Sequence, residues 1–219
     1  MSEIANPTAR TRVVREPHRG IYDRETVYQI LDEGLVCHVG FVSDGQPFVI
    51  PMNYGRAGDH LYLHGSVASR MLRHLDEGVP VCVTVTLLDG LVFARAIFNH
   101  SMNYRSVVVL GTAERVEDAK QKLEGLRAIS EHIAAGRWKD ARPPNETELK
   151  TTLVLRVPIQ EFSGKAREGP PHDDEKDHPF PTWAGVLPLA LQAGEAIKDP
   201  HLDPPRAVPD YVKNYRRGG

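Results

Sequence analysis

The sequence predicts a mainly β fold, an antiparallel barrel with a few peripheral helices. Three observations predict it. Runs rich in valine and threonine fill residues 35–116 between turn residues. These runs do not alternate with helices in the way a parallel sheet requires, and no internal repeat or heptad pattern offers another architecture. Closing antiparallel strands into a barrel then removes their unpaired edges.

The elements follow in chain order. Residues 1–20 are polar and basic without periodicity and read as an arm that needs a surface to order it. Asp23 can cap a helix whose Val27, Ile30 and Leu31 fall at i, i+3 and i+4, with Gly34 as its stop. GLVCHVGFV and PFVIPMNYG then flank Asp44-Gly45, the dipeptide whose positive φ angles suit a tight hairpin. LYLHG is a strand running into SVASRMLRHLDEG, a helix with Met71, Leu72 and Leu75 on one face. Two long β segments, VPVCVTVTLLDGLVFARAIF and NYRSVVVLGTAERV, precede a helix marked by Ala119, Leu123, Leu126 and Ile133. The last strand is TLVLRVPI, and beyond it lies a Pro-, Gly- and acid-rich segment. This divides the chain into an arm (1–20), one barrel domain (21–199) and a tail expected to lack order (200–219).

Composition narrows the function. With 41% apolar and 26% charged residues and a net charge of −2, the chain has no field to attract a nucleic-acid backbone. No apolar run approaches the roughly 18 residues of a membrane span and the start has no signal-peptide core, so the expectation is a cytoplasmic protein with no membrane partner. Cys37 and Cys82 sit in apolar strands without metal-ligand spacing and read as buried thiols. His60 and His64 share a strand face, yet nothing completes a ligand triad, so no metal site is expected.

The junction His64-Gly65-Ser66-Val67-Ala68-Ser69-Arg70-Met71 carries the strongest chemical signal. A glycine for close approach, two hydroxyls, the N–H groups of a helix start and a fork-shaped cation are what an oxyanion needs. A capping serine and a solvated arginine would leave the same pattern. In Asn103-Tyr104-Arg105-Ser106, Tyr104 and Ser106 face one side of a strand and Arg105 the other, as a second cation or as cover for a barrel end.

Taken in order, PFVIPMNYG, LYLHGSVASRM, NYRSVVVLG, a helix, TLVLRVPI and SGKAR resemble the flavin-binding, nitroimidazole-reductase-like branch of the pyridoxamine 5'-phosphate oxidase superfamily, over roughly residues 20 to 190. The resemblance implies an FMN-binding split barrel, a homodimer contributing to two flavin sites, and a phosphate grip in which Ser69 and Arg70 match while Met71 replaces the family's lysine. It implies that Val49, Ile50, Pro51, Met52 and Asn53 lie along the flavin ring, that Tyr104, Arg105 and Ser106 reach it from the neighbouring strand, and that Lys165, Arg167 and Trp183 match a late motif near the cofactor. For Trp183 an anchoring role is the favoured reading.

It also places His64 beside the flavin as a substrate contact or proton donor, the competing reading being a strand-end histidine bonded to backbone. The cofactor is expected to be FMN, with FAD an alternative and haem a third. The expected reaction passes two electrons to a small electron-poor acceptor, with a non-catalytic flavin or haem carrier as the other class. Pyridoxamine-phosphate oxidation is disfavoured, because PTWAGVLPLAL stands where the true oxidase has an Arg- and His-bearing motif.

Overall fold

A computed structural model describes residues 4–202, 204 and 206–216. In order, the elements are β1 (Gly20–Ile21), α1 (Arg24–Glu33), β2 (Cys37–Ser43), β3 (Gln46–Met52), β4 (Gly55–Ala57), β5 (His60–Ser66), α2 (Arg70–Asp76), β6 (Pro80–Phe93), β7 (Ser101–Thr112), β8 (Glu114–Arg115), α3 (Ala119–Ile133), α4 (Arg137–Asp140), α5 (Glu146–Thr151), β9 (Thr152–Pro158), β10 (Glu161–Arg167), β11 (Gly185–Pro188) and α6 (Asp210–Lys213).

Two antiparallel sheets build the barrel. The larger runs β1-β10-β7-β6-β2-β3, with β11 also on β6, and the smaller runs β4-β5-β9-β8. No ladder joins the two sheets among the described residues, so the barrel is split along that seam. Alternation decides what fills it: Val39, Val83, Val85, Val107, Val109, Leu61, Leu63, Leu155 and Val157 turn inward and are buried. Helix α1 adds Val27, Ile30 and Leu31 to this core, and α2 adds Leu72 and Leu75.

Local chemistry sets the boundaries. Asp23 accepts from Thr26 N at 2.8 Å and Ser69 from Leu72 N at 3.3 Å, so each side chain satisfies an otherwise orphaned donor at its helix start. Asp44 (φ 52°) and Gly45 (φ 74°) form the expected tight turn between β2 and β3. Leu88-Asp89-Gly90, which could have ended a strand, is instead a bulge inside β6 against β7.

Three segments differ from their sequence reading. The arm bridges Ile4 to Asp23 and anchors Arg10 on Glu161, so its ordering surface is the chain's own barrel. Helices α4 and α5, the latter held by an Asn145–Glu148 capping box, occupy a stretch with no predicted element. In the tail, expected to lack order, α6 places the Tyr211 hydroxyl 2.6 Å from Asp140 Oδ2, while residues 203, 205 and 217–219 lie outside the described residues. Cys37 is buried, its thiol pushed up to about 12 by burial, whereas Cys82 is only half-buried beside Thr84.

Candidate functional site

Strand β5 alternates buried Leu61 and Leu63 with His60, Tyr62 and His64, so the histidines share the outward face as predicted. His64 is half-buried, and its Nδ1 is sealed from solvent without a partner. Its Nε2 also has no partner among the described residues, yet it is not sealed. Burial holds the imidazole below its usual pKa, so the ring is neutral at pH 7 with an accessible nitrogen.

The following loop largely satisfies itself. Val67 N donates to Thr151 O at 3.0 Å, Ala68 N to Ser66 Oγ at 3.1 Å and Ser69 N to Ser66 O at 2.9 Å. Arg70 N and Met71 N have no acceptor among the described residues, and the exposed Arg70 guanidinium has no carboxylate there. The free donors are thus one cation and two amides, while Ser69 is committed to its cap and Met71 packs against the core. Gly65 is needed for packing: a Cβ there would lie 2.8 Å from Leu72 Cδ1.

Helix α2 ties this loop to the β2–β3 hairpin, because His74 Nε2 lies 2.9 Å from Val42 O and its ring packs on Phe41. On the hairpin, Val49, Pro51 and Asn53 are exposed, whereas Ile50 and Met52 turn inward and pack against the core. The predicted ring-binding strand thus turns the side chains of Val49, Pro51 and Asn53 outward and those of Ile50 and Met52 towards the core.

The second predicted group lies three strands away on the same sheet. Register sets Tyr104 opposite Arg167 and Ser106 opposite Lys165, about 14 Å from β3 at the usual strand spacing. Lys165 Nζ donates to Arg15 O at 3.1 Å and Ser106 Oγ to Lys165 O at 3.2 Å. Asn103 is buried and accepts from Arg167. Arg105 is not a free cation: Asp89 takes one edge of its fork and Glu33 the other, the hydrogen bonds to both raising its pKa. No hydrogen bond or ion pair among the described residues joins these residues to His64–Arg70. Trp183 is exposed, packs 5.9 Å from Phe93 and covers Gly185.

The sheet face between the two groups is mixed: exposed Val49, Leu88 and Met102 share it with His38, Thr84 and Thr86. Beside it the turn 97–99 presents Phe98, 96% exposed. Sequence reading missed what fixes that turn: Asp173, its side chain 1% exposed, accepts from Arg95 N at 2.8 Å and Ala96 N at 3.2 Å. Asp173 belongs to an acidic stretch that reads as solvated, and its partners lie more than seventy residues away. A cavity of about 870 Å³ lined by Arg56, Arg127, His132 and Tyr211 contains no predicted site residue. The described residues hold no cluster of three metal-ligating side chains and no helix long and apolar enough to cross a membrane.

Comparison with known proteins matches this geometry to a family. The pyridoxamine 5'-phosphate oxidase model matches residues 23–166. Flavocytochrome Anf3 from Azotobacter vinelandii is 42% identical, with a TM-score of 0.90 over 96% of this chain and 98% of that one. The FAD and haem binding protein from Mycobacterium smegmatis is 37% identical, with a TM-score of 0.86 over 90% of this chain and 96% of that one. A putative 5-nitroimidazole antibiotic resistance protein from Bacteroides thetaiotaomicron is 29% identical, with a TM-score of 0.56 over 67% and 85%. No curated protein sequence shows a significant match. A split barrel with this strand order, matched over 23–166 and paralleled along nearly its full length by a 42% identical structure, belongs to the pyridoxamine 5'-phosphate oxidase family.

Proposed function

We propose that this chain is a flavin-nucleotide-binding redox protein, acting as a homodimer, that also carries haem. One observation carries the reading: two relatives, each matched over at least nine-tenths of this chain, are a flavocytochrome and a protein described as binding FAD and haem. Of the flavins expected from the sequence, FAD is therefore the stronger candidate over FMN. Both share the riboflavin phosphate that the loop after β5 would hold.

The residues present fit these groups. Arg70 and the amides of Arg70 and Met71 are unengaged donors for a phosphate, and exposed Val49 and Pro51 offer a wall for a planar ring. Exposed Leu88 and Met102 beside Tyr104 are apolar surface that a second copy would cover, bringing its own Tyr104 and Ser106 within reach of the ring. His64 has the neutral imidazole and accessible Nε2 of a haem ligand, which suits a ligand or acceptor better than a proton donor. When bound, the flavin supplies two-electron transfer and the haem one-electron or oxygen chemistry. The protein's part is to hold the phosphate, present the ring face to a small electron-poor acceptor and exclude water.

Absorbance of the purified protein tests the assignment, with flavin bands and a Soret band expected together. Chromatography of the acid-released flavin then separates FAD from FMN. A colourless protein that takes up neither added flavin nor haemin would refute it. Bleaching of the flavin by NADH or NADPH, followed by reoxidation with an added acceptor, distinguishes an enzyme from a carrier.

A further inference from the structure

Where β10 ends under the N-terminal arm, Arg167 is 5% exposed. A buried guanidinium ordinarily faces a carboxylate, because an uncompensated charge is costly away from water. Arg167 has no acidic partner among the described residues. Three of its five N–H groups are satisfied by neutral acceptors: Nη1 donates to Asn103 Oδ1 and to Gly169 O at 3.2 Å, and Nη2 donates to Pro170 O at 2.9 Å. The Nε–H and the second Nη2–H remain. Nε and Nη2 are the atoms by which Arg56 grips Asp32 and Arg105 grips Asp89 in this same molecule. Arg167 Nε is not sealed from solvent, unlike the Nε of Arg24.

A cavity of about 370 Å³ is lined by Arg167 together with Arg19, His18, His172 and Glu168. Glu168 is exposed and pairs with no cation among the described residues. Arg19 reaches Glu16 only at 3.8 Å. Burial, and then the nearby Arg19, push Arg167 below its ordinary pKa, as expected of two cations left facing each other. The turn that brings Arg19 and His18 here follows Glu16, which holds a left-handed backbone (φ 56°) uncommon for a residue with a side chain.

We propose that this cavity is an oxyanion site, in which the open edge of Arg167 and the guanidinium of Arg19 receive a phosphate or carboxylate group of a small molecule. An anion there supplies the missing countercharge to Arg167 and relieves its repulsion with Arg19. The oxyanion has two sources, a free small molecule or, in FAD, the adenylate phosphate that the loop after β5 does not hold.

Inorganic phosphate titrated by calorimetry into the full-length protein as purified tests this. Arg19→Gln is the informative variant, since Arg19 takes no part in holding Asn103 or the 169–170 turn, whereas Arg167→Gln removes those bonds as well as the site. The expected result is one phosphate per chain, with affinity reduced at least about tenfold in Arg19→Gln at unchanged melting temperature. If phosphate binds only after flavin is stripped, with the same dependence on Arg19, the resident oxyanion is the nucleotide's own phosphate. Absence of saturable binding to either form, or equal affinity in the parent and both variants, overturns the site. A preparation without flavin would refute the proposed function yet leave this titration decisive, because the cavity is built from the chain alone.

Discussion

Arg105 Nη2 donates to Asp89 Oδ1 at 2.8 Å, and the opposite edge of the same guanidinium is held by Glu33 at the end of α1. One arginine thus locks a helix and the bulge of β6 to the middle of the larger sheet. Arg105→Ala would remove the guanidinium that Asp89 and Glu33 share, and a loss of about 1–3 kcal/mol in urea unfolding is expected.

Arg70→Ala should behave in the opposite way. Its side chain is exposed and meets no carboxylate among the described residues, so the stability of the flavin-free protein should change by less than about 0.5 kcal/mol. Flavin affinity should fall by a factor of about ten or more, the size of a lost charge-assisted contact. Equal flavin affinity for this variant and the parent would remove Arg70 from the phosphate grip.

The crossing of α3 over β4 depends on Gly55. A Cβ at that position would lie 2.5 Å from both Ala128 C and Ile129 N, backbone atoms that cannot step aside as a side chain would. Gly55→Ala should therefore cost about 1–3 kcal/mol and loosen α3, read as faster hydrogen exchange in that helix.

Acid should weaken the fold through two histidines. His132, whose Nε2 donates to Gly34 O at 2.5 Å, and His64 are both held below their usual pKa, burial being the first cause in each. A histidine with a lowered folded pKa is neutral in the native state while the unfolded chain takes up a proton below about pH 6.5. Stability is then full above that pH and falls as pH drops below it. Urea midpoints at pH 7.5 and 5.5 should show the decline, and His132→Gln should flatten it.

For His64 the expected outcome is a separation of two signals. His64→Ala should keep its flavin absorbance while losing or shifting the Soret band, because the residue offers an imidazole nitrogen and no phosphate donor. An unaltered Soret band with unaltered flavin reduction would take His64 out of the site.

Much of the fold was legible because its signals are local. The Asp23 and Ser69 caps, the Asp44-Gly45 turn and the period-two burial of β5 each depend on residues within a few positions of one another. The electrostatic frame was not legible, since Arg105 finds Glu33 across 72 residues and Asp89 across 16, and only the assembled sheet brings them together. Read from its own strand, Arg105 is a cation facing away from Tyr104 and Ser106, with neither carboxylate in view. Of the candidate site, the loop after β5 keeps free donors at Arg70 and Met71, while alternation turns Ile50 and Met52 away from the hairpin's open face.

Strand β11 has a consequence for how the chain keeps its own company. Along one edge of β6, Cys82–Thr84 pair with β2 and Gly90–Phe93 pair with β11, while β7 occupies the other edge. The matched family core ends at residue 166, before β11 begins. A chain stopped at that point would carry a bare row of backbone donors and acceptors beside its longest strand, available to any extended peptide that drifted past. By folding Gly185–Pro188 back along that row, the chain closes the gap with its own backbone.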